Sequence, residues 1–516
     1  MGTPSTDGCS PVARLRIGLL PGGAWGRAAS LGRTVGLAVV LTVSACSPTG
    51  PQNEAPTGPQ NQSPTVRITQ PASQAVVNVG DTVLIAAEAS DPDGSVATVR
   101  FFVDGTLLGQ DEISPYQLAW DTRQADGWQH QVSVTALDDR GALATGSVTV
   151  FTSWAYRVPE EVEDGWETSA LESEGMNAEP LVAMMNLIRQ HADHRIHGIL
   201  IARHGSLVFE EYFDGYRRDD QTTLVEFGRT TVHDLASCTK SFTSALLGIA
   251  IGEGIVESVE EPVAEFFPEF DWLPGSPNGA ITLEHFINMA SGIQWDQHTY
   301  PPLDPRNDLM QFGRSANPWQ FYLSRPLTSP PGSTMNYSEA SANVVGESIA
   351  RASGLALDDL ANERLFWPLG IHVSSWSHFA NGSVWASGNL FLRPRDILKF
   401  GQLYLQHGEW QGQPIVPRAW VERLATPYHL FGPWSMDHER YWLESADMIG
   451  YKDAWWLLDP TSYGAGAFAA NGWGGQRIFV LPEYDMVVVT TGGSQFEAPL
   501  LEPHEIMVRY VLSAVR

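Results

Sequence analysis

The chain is poor in cysteine and in positive charge, and it has no long apolar run. Of its 516 residues only Cys9, Cys46 and Cys238 are cysteine. Three thiols cannot build a disulfide framework, which excludes a small disulfide-stapled scaffold. Lys and Arg number 31 against 59 Asp and Glu, a formal charge of −28. No basic surface is left to follow a phosphate backbone, so no nucleic acid is expected as a partner. There is no Gly-x-Ser-x-Gly, which disfavours an α/β-hydrolase elbow, and no Gly-x-x-x-x-Gly-Lys-Ser/Thr, which excludes a nucleotide phosphate loop. What is present is a 43% apolar, 10% aromatic composition, ample for a packed core. A single core rarely grows past about 250–300 residues, so at least two folded units are expected.

The first 45 residues carry Arg14, Arg16, Arg27 and Arg33 against a lone Asp7, then the apolar run from Val35 to Val43, then Ser44-Ala45-Cys46. The run is short for a membrane span, and a basic flank with small residues before a cut site is the pattern of an export signal. Val43-Ser-Ala-Cys46 also resembles a bacterial lipobox, which implies lipidation of Cys46 and a membrane anchor. Residues 46–64, rich in Pro, Gln, Asn, Gly and Ser, form a solvated tether.

From 65 to 152 the pattern changes to short alternating runs, such as Val83, Ile85, Ala87 and Val99, Phe101, Val103, parted by the turns Asp91-Pro-Asp-Gly94 and Asp104-Gly105. Seven or so short strands in a β-sandwich follow. The segment resembles the Ig-like modules of bacterial secreted enzymes, which implies a spacer or a cell-surface contact. Residues 153–179 are an acidic linker. From 180 to 516 strand patterns (Gly198–Ala202, Ser206–Glu210, Gln476–Val480, Met486–Thr490) enclose helical ones at 237–254, 282–289, 340–352, 355–365 and 394–406, with a last helix at 502–515. An antiparallel sheet flanked by helices, with a helical subdomain, is an α+β layout. The whole chain is thus multidomain.

The sharpest local feature is Ser237-Cys-Thr-Lys240 at the start of an apolar helix. Residues three apart on a helix share a face, so the Lys240 amine can reach the Ser237 hydroxyl. Desolvation lowers a buried lysine's pKa, and such an amine can take a serine proton. Alone the pattern is weak, since an N-cap serine and an exposed lysine also make it. Pro331-Gly-Ser-Thr-Met-Asn-Tyr337-Ser338 places a tyrosine on a loop before a helix, and Asn471-Gly-Trp473-Gly474-Gly475-Gln476 leads into a strand with two glycines that permit close backbone approach.

With these stretches, and with Thr282–Gly292 and Arg395–Gly401, the chain from about Ile196 to Ser513 resembles the serine β-lactamase/penicillin-binding-protein superfamily, nearest its class-C-like branch of esterases, D-aminopeptidases and 6-aminohexanoate-dimer hydrolases. The resemblance implies a serine hydrolase of a small ester or amide substrate, with no cofactor and no metal. Ser237 would be the nucleophile, Lys240 its base and Tyr337 the proton shuttle to the leaving group. The backbone N–H groups of Ser237 and Gln476 would form the oxyanion hole, and Trp473, Gly474 and Gly475 would line the substrate. Two positions depart from the family: Glu339 stands where an Asn is common, and Trp473 stands where a Lys or His would meet a substrate carboxylate. Cell-wall DD-peptidase or β-lactamase activity is the alternative, and an inert fold carried by a binding module a third reading. Cys238 reads as a packed thiol. His191-x-x-His194-x-x-His197 could share a helix face around a metal, but no carboxylate with ligand spacing follows. Trp434, Trp442, Trp455 and Trp456 either wall an acyl pocket or pack a loop.

Overall fold

The computed structural model describes residues 60–124, 128–191, 194–301, 304–430, 447–494 and 501–516. The export signal and lipidation expected at 1–46, and Cys9, Trp434 and Trp442, lie outside the described residues.

Residues 65–153 form two stacked antiparallel-rich sheets. One has three strands in the order Thr65–Gln70, Thr82–Ser90, Tyr116–Asp121. The other has five, in the order Ala75–Asn78, Leu143–Ser153, Gln129–Asp138, Val96–Val103, Thr106–Asp111. The inward residues of the alternating runs, Ile85, Ala87, Val99, Phe101, Val132, Val134 and Val150 among them, make the core of this Ig-like sandwich. Asp104 and Gly105 have φ of 49° and 80°, the mirror-turn geometry that joins two strands tightly. One strand more than expected is present. Ala75–Asn78 pairs parallel with Val150–Ser153, a short edge that alternation could not mark.

The larger domain is built on a nine-stranded sheet, whose order is His429–Leu430, Met448–Lys452, Trp455–Leu458, Phe468–Gly472, Gln476–Leu481, Met486–Gly492, Ile196–Arg203, Ser206–Tyr212, Glu167–Thr168. An early and a late strand of this domain therefore meet, where Ile196–Arg203 pairs antiparallel with Met486–Gly492. Both faces of the sheet are covered, so every residue of Ile196–Arg203 is buried. Alternation sorts them: Leu200 and Ala202 join Phe242, Ile397 and Val487 in one core, while Ile199 and Ile201 join Leu181, Met184 and Ile506 in another.

Between the flanking strands lies the helical part, including the helices Thr239–Gly252, Glu339–Ser353 and Pro394–Leu405. Three expected helices come out shorter or broken. Leu283–Ile287 covers only part of 282–289, Leu357–Ala361 passes into a wider turn at Asn362–Phe366, and 503–514 divides into Pro503–Ile506, Met507–Val511 and Leu512–Ala514. The apolar periodicity persists through wider and tighter turns, so the pattern alone could not place these breaks.

Arg395 ties the linker to this domain. Its buried guanidinium donates to Glu210 at 2.5 and 2.7 Å, to Asp164 at 3.0 Å and to the Glu160 carbonyl at 2.8 Å. Arg395→Ala would strand the Glu210 carboxylate, and a loss of about 3–5 kcal/mol in urea unfolding is expected.

Candidate active site

The short strand His233–Asp234 pairs with Leu390–Leu392 and leads into a tight turn, Ala236–Cys238, then into the helix Thr239–Gly252. All but the last two residues of that helix are buried, which makes it the central helix of the domain. Its polar members are satisfied internally: Ser241 donates to the Ala454 carbonyl at 2.8 Å and Thr243 to that of Ala386 at 2.6 Å. Ala236 has φ 46°, a left-handed conformation costly for a residue with a Cβ. Asp234 holds it there by accepting from the Ala236 N–H at 2.9 Å. The strain sits immediately before Ser237, which is partly exposed beside the buried Lys240.

Lys240 Nζ lies 2.9 Å from Ser237 Oγ, 2.6 Å from Glu339 Oε2 and 2.8 Å from the Ser387 carbonyl. Burial pushes the amine below its ordinary value, and the Glu339 carboxylate opposes that. Glu339 Oε1 in turn accepts from Ser237 Oγ at 3.4 Å. Tyr337, two residues earlier on the loop into the Glu339–Ser353 helix, carries the Lys240 amine 5.0 Å from its ring centre. Burial first, then the Glu339 charge, raise the phenol well above its usual value, while a hydrogen bond with Ser237 works the other way. Ser237 and Lys240, one helical turn apart, and Tyr337, a hundred residues on, are thus brought together around one hydroxyl.

The strand hairpin Phe468–Gly472/Gln476–Leu481 is pressed against the Ser237 turn. A Cβ on Gly472 would come within 2.3 Å of the Leu235 carbonyl oxygen, so only glycine fits there. The Gln476 carbonyl accepts from Cys238 Sγ at 3.4 Å. The segments bearing the Ser237 and Gln476 N–H groups are therefore in contact. The Gln476 side chain is occupied with Gly492, donating to its carbonyl at 2.6 Å and accepting from its N–H at 3.2 Å. Gly474 and Gly475 have φ of 94° and 95°, a bend only glycine takes readily, and it leaves Trp473 40% exposed at the rim. Over the Trp473 ring, at 5.2 Å, lies the guanidinium of Arg218, which is paired with Asp234.

Other expectations resolve individually. Cys238 is buried, and its thiol is pushed up to about 12, as fits a packed and unreactive group. Trp455 is core, stacked on Phe400 at 5.8 Å, whereas Trp456 stacks on Tyr337 at 6.0 Å and so backs the crevice. The three histidines do not share a helix face, because the preceding helix ends at Arg189. His194 Nδ1 accepts from the Ile196 N–H, and His197 hydrogen-bonds His233 at 2.8 Å. Sequence reasoning passed over Ser387, Arg218 and the contact role of Glu339. Only Glu339, two positions after Tyr337 and charged where an amide is common, carried a readable signal.

With this geometry in view, comparison with known proteins is direct. Residues 184–498 match the beta-lactamase family model, and residues 64–134 match the bacterial Ig domain. The chain belongs to the beta-lactamase family. Among curated relatives it is similar to the 6-aminohexanoate-dimer hydrolase of Paenarthrobacter ureafaciens, 23% identical over 330 residues that cover 60% of this chain and 78% of that one. It is also similar to the D-alanyl-D-alanine-carboxypeptidase/endopeptidase AmpH of Escherichia coli K12, 22% identical over 251 residues, 44% of this chain and 63% of that one. Among solved structures, a family VIII carboxylesterase superposes with a TM-score of 0.51 at 15% identity, covering 66% of this chain and 98% of that one. A penicillin-binding protein homolog from Caulobacter crescentus gives 0.51 at 18%, covering 66% and 99%. The beta-lactamase-family domain is a serine hydrolase, and its relatives by sequence include a 6-aminohexanoate-dimer hydrolase and a D-alanyl-D-alanine-carboxypeptidase/endopeptidase.

Proposed function

We propose that the chain cleaves ester or amide bonds of small substrates through an acyl-enzyme on Ser237. The observation that carries the reading is the 2.9 Å approach of a buried Lys240 amine to a partly exposed Ser237 hydroxyl. In this reading Ser237 Oγ attacks the carbonyl carbon as its proton passes to Lys240. The oxyanion is received by the N–H groups of Ser237 and Gln476, at about 3–4 kcal/mol per donor. Tyr337 protonates the departing oxygen or nitrogen, and water then releases the acyl group. The raised phenol supports a donor role, because at neutral pH it keeps its proton to give.

Trp473 and the two glycines after it form the rim against which substrate lies, and the indole offers an apolar face rather than a cation. This favours uncharged acyl esters and amides over carboxylate-bearing cell-wall peptides. Arg218 above that ring is the observation on the side of a DD-peptidase or β-lactamase. A panel of short acyl esters, D-amino-acid amides, linear amide dimers and labelled penicillin separates the two. Turnover of neutral esters or amides with fast release of any penicillin label is expected. No turnover of them, with stoichiometric and slowly released label on Ser237, would reverse the choice.

Tyr337→Phe should lower kcat about 10²–10⁴-fold on alkyl esters and amides, but much less on p-nitrophenyl esters, whose leaving group needs no proton. Equal losses on both would remove the shuttle role. Export and lipidation at Cys46, which would place the enzyme on the cell envelope, are supported by the basic flank, the apolar run from Val35 to Val43 and Val43-Ser-Ala-Cys46, and Ser47 after that cysteine points to the outer membrane in a Gram-negative cell. Cys46→Ser should move the protein from the membrane to the soluble fraction, and an unchanged distribution would refute the anchor.

A further inference from the structure

The hydrogen bonds around Lys240 raise a question of proton supply. An ammonium has three N–H donors and no acceptor site. Three acceptors surround Nζ here, Ser237 Oγ at 2.9 Å, Glu339 Oε2 at 2.6 Å and the Ser387 carbonyl at 2.8 Å. The environment fits the protonated lysine, which cannot take a further proton from serine. Glu339 supplies the missing acceptor. Among the described residues its carboxylate receives hydrogen bonds from Lys240 and Ser237 only. Its main chain is fixed separately: the Glu339 N–H donates to Gln297 Oε1 at 3.0 Å, and its carbonyl accepts from Asn343 at 2.9 Å. Asn343 also holds Ser387 Oγ at 2.8 Å, so one amide positions the carboxylate's backbone and the residue whose carbonyl caps the lysine.

We infer that Glu339 is a catalytic residue, the final acceptor of the Ser237 proton, with Lys240 as a conduit that gives one proton to Glu339 Oε2 as it takes one from Ser237 Oγ.

This rests on Ser237 being the nucleophile and specifies the base behind it. As Oγ bonds to the substrate carbonyl carbon, its proton moves to Nζ and one Nζ proton moves to Oε2. Lys240 remains an ammonium and Glu339 becomes a carboxylic acid. When the carbon–leaving-group bond breaks, Tyr337 protonates the leaving group, and the proton on Glu339 returns through Lys240 to the phenolate. In deacylation a water proton follows the same path and is delivered to Ser237 Oγ. No external acid or base is consumed. The titratable groups facing Glu339 are Lys240 from the nucleophile helix, Tyr337 from its own loop and Tyr451 from the neighbouring strand. Cys238 acts electrostatically on Lys240 and Tyr337, and the His298 ring is 6.4 Å from that of Tyr337. Burial first, with the Glu339 charge added to it, holds both phenols well above their usual range, so neither competes as the resting base.

The test is the pH dependence of kcat/KM on a p-nitrophenyl ester for wild type, Glu339→Gln and Glu339→Asp. The wild-type profile is the reference. Glu339→Gln should lose about a hundredfold or more at neutral pH and should climb with pH as Lys240 becomes neutral, whereas Glu339→Asp should keep the shape of the wild-type profile. A glutamine variant with wild-type rate and profile would overturn the inference while leaving Ser237 untouched. A wild type without ester or amide turnover would instead overturn the hydrolase reading itself. If the glutamine variant does not fold, a proton inventory of wild-type acylation in mixed H2O and D2O decides. A bowed plot, from two protons in flight, supports the relay, and a straight line overturns it.

Discussion

Ser237→Ala is expected to lower kcat/KM on a p-nitrophenyl ester by about 10⁴-fold or more, with an unchanged unfolding midpoint. The magnitude follows from the role. Removing a nucleophile removes the covalent path altogether, and what remains is the modest rate of an oxyanion site acting on water. The unchanged stability follows from location. Ser237 is partly exposed, and its hydroxyl closes no buried network that a water could not complete. Comparable turnover in the two proteins, measured after correction for contaminating esterases, would remove the nucleophile assignment.

Lys240→Met is expected to have two separable effects. Activity should fall about 10³-fold or more, because the hydroxyl loses the amine through which its proton leaves. Stability should fall by about 3–5 kcal/mol, because the variant leaves Glu339 buried without its cation. An unpaired buried carboxyl is most comfortable as the neutral acid. The variant should therefore be more stable at pH 5 than at pH 8. Adding Glu339→Gln to Lys240→Met should restore most of the stability and none of the activity. Urea unfolding of the two variants at pH 5 and pH 8 checks the stability pattern, and an ester assay checks the activity. A double variant no more stable than the single one at pH 8 would mean that the pair is not coupled in the way the 2.6 Å contact implies.

What could be read in the amino-acid order depended on the range of the interaction. Ser237 and Lys240 are three residues apart at the head of an apolar helix, and helix geometry alone brings them together. Tyr337 needed the resemblance to a family, since nothing local ties a loop a hundred residues away to that helix. The alternation in 65–152 was plain because each strand shows one face to one core. In Gly198–Ala202 both faces are covered, so the run reads as uniformly apolar and reveals a buried strand without its neighbours. Ser387 was invisible because its contribution is a main-chain carbonyl, which any residue would carry. Arg218 was equally hidden. It stands over Trp473 through the path of a short hairpin, not through any spacing in the sequence. Glu339 was visible only as a departure from the family pattern. That its charge is matched by Lys240 depends on two chain segments whose meeting is a property of the fold.

The most direct test of the account is a trapped intermediate. The protein is mixed with an excess of a slow acyl ester, quenched in acid within the first turnovers, digested and mapped by mass spectrometry. The account predicts one acyl group per chain, on the peptide containing Ser237, present in Tyr337→Phe and absent from Ser237→Ala. Turnover of the ester with no adduct on that peptide, or with the adduct on another residue, would contradict it.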